Sequence, residues 1–258
     1  MLGRSHLLIT FLHAGAILYA LSAMAYFGFL EALAVFLGAL AGALLPDVDA
    51  VDALAFRLRG GGGLSLKLLA YTTKWVLYKP VTLLARLFGR RSWGHRGGLH
   101  SLAGAGLVAF FWLGLGTVLI YLSGALELFA WWFFFCLGIG CGFLLHLWQD
   151  SLTAGGIRWL PTLRVQGRLL TGYWGWRVWK MEGAALAVIG ACSLSSMALV
   201  TSDNPHAGLA VALLGFPLSW LAFGRVAKFR EFDEFSTAVT EEASSLADPL
   251  GMRPKKRK

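Results

Sequence analysis

Apolar runs alternate along this chain with two kinds of interruption, short acidic turns and long basic loops. The runs span roughly His6–Phe27, Phe29–Leu45, Ser101–Leu122, Leu128–Trp148, Gly183–Val200 and Ala207–Phe223. A membrane helix needs about 20 predominantly apolar residues. The third and fourth runs meet that length outright. The second, fifth and sixth are shorter and need local thinning of the bilayer or packed neighbours. In the second run, Gly38 and Gly42 have the spacing that lets helices approach closely. The pattern predicts an all-α polytopic membrane bundle of about six spans.

Between the second and third runs, "RLRGGGG" (57–63) marks a flexible break. The segment 64–91 that follows mixes apolar and cationic residues at near-helical spacing. Leu64, Leu68, Tyr71, Trp75 and Tyr78 share one face, with Lys67 and Lys74 away from it. This predicts an amphipathic helix lying in the interface, broken or kinked at Pro80. A seventh span is the competing reading, made expensive by Lys67, Lys74, Lys79 and Pro80. The organisation expected is a membrane domain over 1–224, containing a basic amphipathic loop at 53–92, followed by a basic tail at 225–258.

Composition agrees with the apolar pattern. Of 258 residues, 57% are hydrophobic and only 14% charged, against about a quarter charged in soluble domains. Charge then orients the bundle. With six spans, all 23 Lys and Arg fall on one side, in 1–5, 46–100, 149–182 and 224–258, and the opposite turns hold Glu31, Glu127 and Asp203. Basic loops stay inside, so both termini are expected in the cytoplasm. "SAMA" (22–25) offers a signal-peptidase-like site. The thin basic region before it and His13 within the apolar core speak against cleavage. Cys136, Cys141 and Cys192 lie in apolar runs without CxxC spacing, so they read as small buried core residues. "YWGWRVWK" (173–180) has the make-up of a headgroup belt. The terminal "RPKKRK" beside a membrane reads as an anionic-lipid contact rather than a nucleic-acid patch.

The polar residues left over converge on one depth. His6 opens the first run, "LLPDVDA" with Asp47 and Asp49 ends the second, "HRGGLHS" with His95 and His100 opens the third, and His146 and Asp150 close the fourth. His146 and Asp150 are four apart and share a helical face. Asp47 and Asp49 point the same way in an extended segment. Gly97 and Gly98 allow a turn between His95 and His100, and Ser101 is placed to cap the following helix. Carboxylates at helix C-termini are disfavoured by about 0.3–1 kcal/mol each. A bound cation would reverse that, and ionisable groups at membrane depth are functional candidates by default. His13 lies about two turns deeper and reads as a satisfied core histidine; His206 falls on the opposite side.

These motifs resemble the YdjM-like family of LexA-regulated, inner-membrane-associated, metal-dependent hydrolases. The resemblance covers residues 1 to about 165 and rests on "GRSH", "LLPDVD", "HRGGLHS" and "HLWQDSLTAGGIRWLP". It implies hydrolysis of phosphate esters, with His6, Asp47, Asp49, His95, His100, His146 and Asp150 around one or two divalent ions. Leu99 stands where family members usually have Thr, and Ala50 where they often have a polar residue or His. The expected reaction uses a water activated by zinc, manganese or iron. Asp47 or Asp49 would bridge ions or act as base, and Arg96, followed by Arg158 and Arg164, would clamp phosphate. A site at headgroup depth suits a lipid or other amphipathic phosphoester. Two other classes compete: a divalent-cation transporter, whose sites usually lie at mid-membrane, and a non-catalytic scaffold, which leaves the converging ligands unexplained. Oligomeric state is not legible.

Overall fold

The protein was analysed as a computed structural model describing residues 3–49, 56, 61–87, 100–151, 157–158, 163–166, 176–227 and 230–233. Each apolar run folds as one helix: α1 (Gly3–Ala23), α2 (Phe29–Gly42), α5 (Leu102–Ser123), α6 (Phe129–Ser151), α7 (Trp176–Thr201) and α8 (Pro205–Ala227). Within the first long loop lie α3 (Gly61–Thr72) and α4 (Lys79–Leu87). Three segments, His6–Ala23, Leu102–Ser123 and Leu126–Ser151, are long and apolar enough to cross a bilayer. Phe29–Gly42, Leu186–Thr201 and Pro205–Ser219 are shorter apolar helices, the same three that sequence length singled out. The all-α membrane bundle stands.

Short turns join the helices into hairpins. Gly124 closes α5 in the left-handed conformation at φ 72°, which an L side chain resists. At the other end Ser101 accepts a hydrogen bond from the Gly104 amide at 3.0 Å, the cap its position predicted. Helix α1 packs against the α7–α8 hairpin on one side and α2 on the other. It thereby joins the two halves of the bundle and carries His6 to their junction.

The tightest seam runs between α2 and α6. A Cβ added at Gly38 would overlap the Phe135 carbonyl, and one at Gly42 the Ile139 carbonyl. In return, a Cβ at Gly138 would strike the Val35 carbonyl and one at Gly142 the Ala39 carbonyl. Two glycine pairs, each four residues apart, therefore face one another and let the backbones touch. The Gly38–Gly42 spacing was visible in the sequence; its reciprocal partner on α6 was not singled out.

Three features depart from expectation. Of the break or kink expected at Pro80, the break does not occur. A π-helical stretch, Thr73–Tyr78, widens the helix just before it, and the Lys79 amide bonds back to the Lys74 carbonyl. The wider turn absorbs the missing proline donor and the ring's clash with the preceding turn. Cys141 is exposed rather than buried, while Cys136 is buried and Cys192 intermediate. Finally, short strands β1 (Ile157–Arg158), β2 (Leu163–Gln166) and β3 (Arg230–Asp233) form an antiparallel sheet in the order β1-β2-β3. A strand after the sixth run thus pairs with the loop that follows α6.

The α3–α4 segment has two apolar sides. Leu64, Leu68, Tyr71 and Trp75 are exposed, as an interfacial face requires, with Tyr78 less so. On the other side Ala70, Thr73 and Leu77 are buried against the core. Lys79 sits 3.6 Å over the Trp75 ring, and Lys74 5.0 Å over Phe56. A buried relay fixes the inner side. Thr73 donates to the Leu69 carbonyl and accepts from the Trp112 indole at 2.9 Å. The Trp112 carbonyl accepts from the Trp132 indole. Thr73→Val leaves the Trp112 donor buried without its acceptor, a loss of about 1–3 kcal/mol. Thermal melts in detergent should show the drop, and adding Trp112→Phe should recover part of it. A Thr73→Val protein as stable as the parent would remove the relay's importance.

Candidate metal centre

The end of α2 begins the site. Ala43 caps the helix, and its carbonyl is among those a helix C-terminus leaves without an intrahelical partner. His146, in the last turns of α6, approaches that carbonyl with Nδ1 at 2.7 Å. A carbonyl can only accept, so Nδ1 carries a proton, and whenever His146 is neutral its lone pair lies on Nε2. The glycine seam makes this contact possible, because Gly42 and Gly142 bring the two backbones together one turn earlier.

After Ala43 the chain turns through Leu44 and Leu45 into a 3-10 turn, Pro46–Asp49. Pro46 cannot continue the helical ladder, and the turn swings Asp47 beneath α6. Asp47 Oδ1 lies 3.7 Å from His146 Nε2 and 3.4 Å from His100 Nε2. Asp150, one turn beyond His146, places Oδ2 3.6 Å from both His146 Nε2 and His100 Nε2. His100 stands just before the Ser101 cap, so the start of α5 delivers it. Four donors, from Asp47, His100, His146 and Asp150, all lie within 4.8 Å of one another.

The spacing is informative. Tetrahedral coordination at about 2.0–2.1 Å per bond puts neighbouring ligand atoms about 3.3–3.4 Å apart. The four carboxylate–imidazole separations, 3.4 to 3.7 Å, sit just above that edge length. A second test concerns polar satisfaction. His146 Nε2 is fully buried without a hydrogen-bond partner, yet it faces two carboxylate oxygens. A lone pair directed at two anionic acceptors is repulsive, so the arrangement calls for positive charge between them, a proton on Nε2 or a metal cation in its place. The residues fit a divalent metal.

His6 lies beside this group. Its Nε2 is 3.4 Å from Asp150 Oδ1, the oxygen turned away from His100 and His146. Its ring stacks on His146, centroids 3.9 Å apart. This position suits an imidazole N–H that orients a liganding carboxylate. Burial is graded across the centre. His6, His100, His146 and Asp150 are almost inaccessible, whereas the Asp47 side chain keeps 28% of its exposure. Burial acts to raise the Asp47 pKa. Positive charge on His146, in its protonated form, and the bond with His100 more than offset it, holding the carboxyl below its ordinary range. Asp47 is therefore ionised near neutrality and forms the accessible rim.

Of the residues the sequence suggested, Asp47, His100, His146 and Asp150 come together and His6 adjoins them. Asp49 closes the same 3-10 turn as Asp47. His95, Arg96, Leu99 and Ala50 lie outside the described residues. Arg158 and Arg164 stand directly opposite one another in the β1–β2 ladder. His13 is buried within the bundle, and His206 starts α8 at the far end. Two groups beside the donors escaped the sequence reading. The Ala43 carbonyl is one, and no side-chain pattern marks a backbone acceptor. Gln149 is the other, a fully buried carboxamide in the turn that holds His146 and Asp150; its signal was a polar residue directly after an apolar run.

Comparison with known proteins supports the membrane assignment. A family model described as YdjM inner membrane protein matches residues 1–228, so the chain belongs to that family. No curated protein and no solved structure shows significant similarity to it.

Proposed function

We propose that this YdjM-family membrane protein is a metal-dependent hydrolase that cleaves a phosphoester at the cytoplasmic face of the inner membrane. The observation that carries the proposal is the buried Nε2 of His146, turned without a hydrogen-bond partner toward two carboxylates at near-tetrahedral spacing. The mixed imidazole and carboxylate donor set suits zinc, with manganese or iron as substitutes. Such an ion lowers the pKa of a bound water toward neutrality and stabilises charge on phosphoryl oxygens.

The chain's own groups divide the remaining work. His100, His146 and Asp150 are buried and hold the ion; His6 steadies Asp150 from its second oxygen. Asp47 is the accessible carboxylate, placed to receive a proton from the attacking water or, with Asp49 and His95, to share a second ion. Arg96, Arg158 and Arg164 are the candidate phosphate clamps, since a guanidinium pairs bidentately with phosphate oxygens. The cytoplasmic placement follows from the charge pattern. In the six-span reading all 23 Lys and Arg fall in the loops and termini from which the site residues also come. There the exposed Leu64, Leu68, Tyr71 and Trp75 would rest in the inner leaflet, and the basic loops and tail would meet anionic lipid. That setting favours a lipid or other amphipathic substrate.

The deciding experiment uses protein purified in mild detergent and presented with mixed phosphoester substrates, soluble and lipid. Phosphate or headgroup release that stops on chelation and returns with zinc or manganese is expected. Divalent-cation flux into proteoliposomes, with no hydrolysis of any phosphoester, would replace the enzyme with a transporter. Absence of both activities and of bound metal would leave a scaffold.

A further inference from the structure

Gln149 is out of place by every rule that built its surroundings. The chain holds three carboxamide side chains, Gln149, Gln166 and Asn204. Gln166 lies in β2 and Asn204 in the turn before α8. Gln149 alone lies inside a membrane-length apolar helix. Its exposure is 0%, and neither Oε1 nor Nε2 has a hydrogen-bond partner. A buried, unbonded amide costs about 1–3 kcal/mol, and polar groups at membrane depth persist where they serve a site.

Position says which site. Gln149 precedes Asp150 and follows His146 by three residues, so it shares a helical turn with two of the four donors. It lies seven residues, two turns, after Gly142, on the stripe of α6 that faces α2. Helix α2 ends at Gly42, level with the centre, so no further helix backbone of α2 extends along that stripe. His6 Nδ1, on the ring that contacts Asp150, is likewise buried without a partner. Other unpartnered buried groups in the bundle, on Thr10, Thr82 and Ser196, are single hydroxyls, whereas Gln149 brings both a donor and an acceptor to the turn that holds His146 and Asp150.

We propose that Gln149 is a recognition residue of the metal centre, its carboxamide hydrogen-bonding the oxygens of a phosphoryl group held there. This rests on the phosphoester reading above. The chemistry fits a neutral amide in an acid-rich site. Nε2 donates to an anionic oxygen, and Oε1 accepts from a protonated one without adding charge beside Asp47 and Asp150. The amide serves binding and does not serve stability, because the unliganded protein leaves it unbonded.

The test uses the full chain in neutral-lipid nanodiscs, loaded with zinc and titrated with inorganic phosphate in a calorimeter. Gln149→Leu and Gln149→Met should retain the parent's zinc content and melt no lower than the parent in the metal-free state. Both should bind phosphate about 10–100-fold more weakly, as expected for loss of hydrogen bonds to a charged group. Competition by phosphatidic acid in the disc would support the role with a lipid headgroup as the source. Competition by soluble glycerol phosphate alone would support it with a soluble ester. Parent-like phosphate affinity in both variants overturns the role of Gln149 and leaves the hydrolase reading intact. Loss of zinc from the variants also overturns it, since the residue would then act on the metal. A zinc-loaded parent that binds no phosphate fails at the earlier step and takes the phosphoester reading with it.

Discussion

Replacing Asp150 with asparagine is expected to strip the protein of stoichiometric metal. Among the described residues, Asp150 is the one carboxylate that touches three histidines: Oδ2 faces His100 and His146, and Oδ1 faces His6. Asparagine keeps the shape of the side chain, so a loss of metal reports charge and ligation rather than packing. A merely supporting contact costs about 10–100-fold in metal affinity. His6→Ala should fall in that interval, and Asp150→Asn should exceed it. Elemental analysis of purified protein, followed by zinc titration against a chelator of known affinity, measures both. If Asp150→Asn holds zinc as tightly as the parent, the four-donor centre is not the metal site.

A comparable loss is expected from a residue that touches no ligand. Gly142→Leu would drive a side chain into the Ala39 carbonyl, and backbone on both sides leaves no room to yield. Overpacking of this kind costs about 1–3 kcal/mol, and here the upper end applies because no flexible side chain can move aside. The damage should extend beyond stability. Parting α2 from α6 pulls the Ala43 carbonyl from His146 and carries Asp47 away on the turn that follows. The variant should therefore melt lower and lose metal together. Gly106→Leu is the matched control, since a Cβ there meets nothing within 4 Å. Equal effects from the two substitutions would show that glycine replacement in the bundle is harmful in general, and the seam would lose its special standing.

Much of this architecture was readable in advance, for identifiable reasons. Span length and apolarity are local, so the six long apolar helices follow the predicted runs, α7 starting seven residues earlier than its run. His146 and Asp150 converge because helical periodicity alone sets their shared face, and Ser101 caps because its neighbours define the helix start. What stayed hidden depends on contacts between distant segments. Gly138 and Gly142 acquire meaning only once Gly38 and Gly42 lie against them. The strands of two and four residues are too short to show a period, and their pairing joins segments far apart in the chain. At Pro80 the chain inserts a wider turn in place of a break, an outcome that propensity for a regular helix does not describe. The difference between His6 and the four converging donors is likewise invisible in spacing, since it turns on which oxygen of Asp150 each imidazole meets.

The hydrogen bond from His146 to the Ala43 carbonyl has a consequence for how this protein can be dissected. The acceptor belongs to the main chain, so glycine or serine at position 43 would leave it in place. A mutational survey would score that position as dispensable, although the proton arrangement of the key imidazole is decided there. Only a change to the peptide linkage itself, such as ester replacement of the bond that carries this oxygen, would expose the dependence.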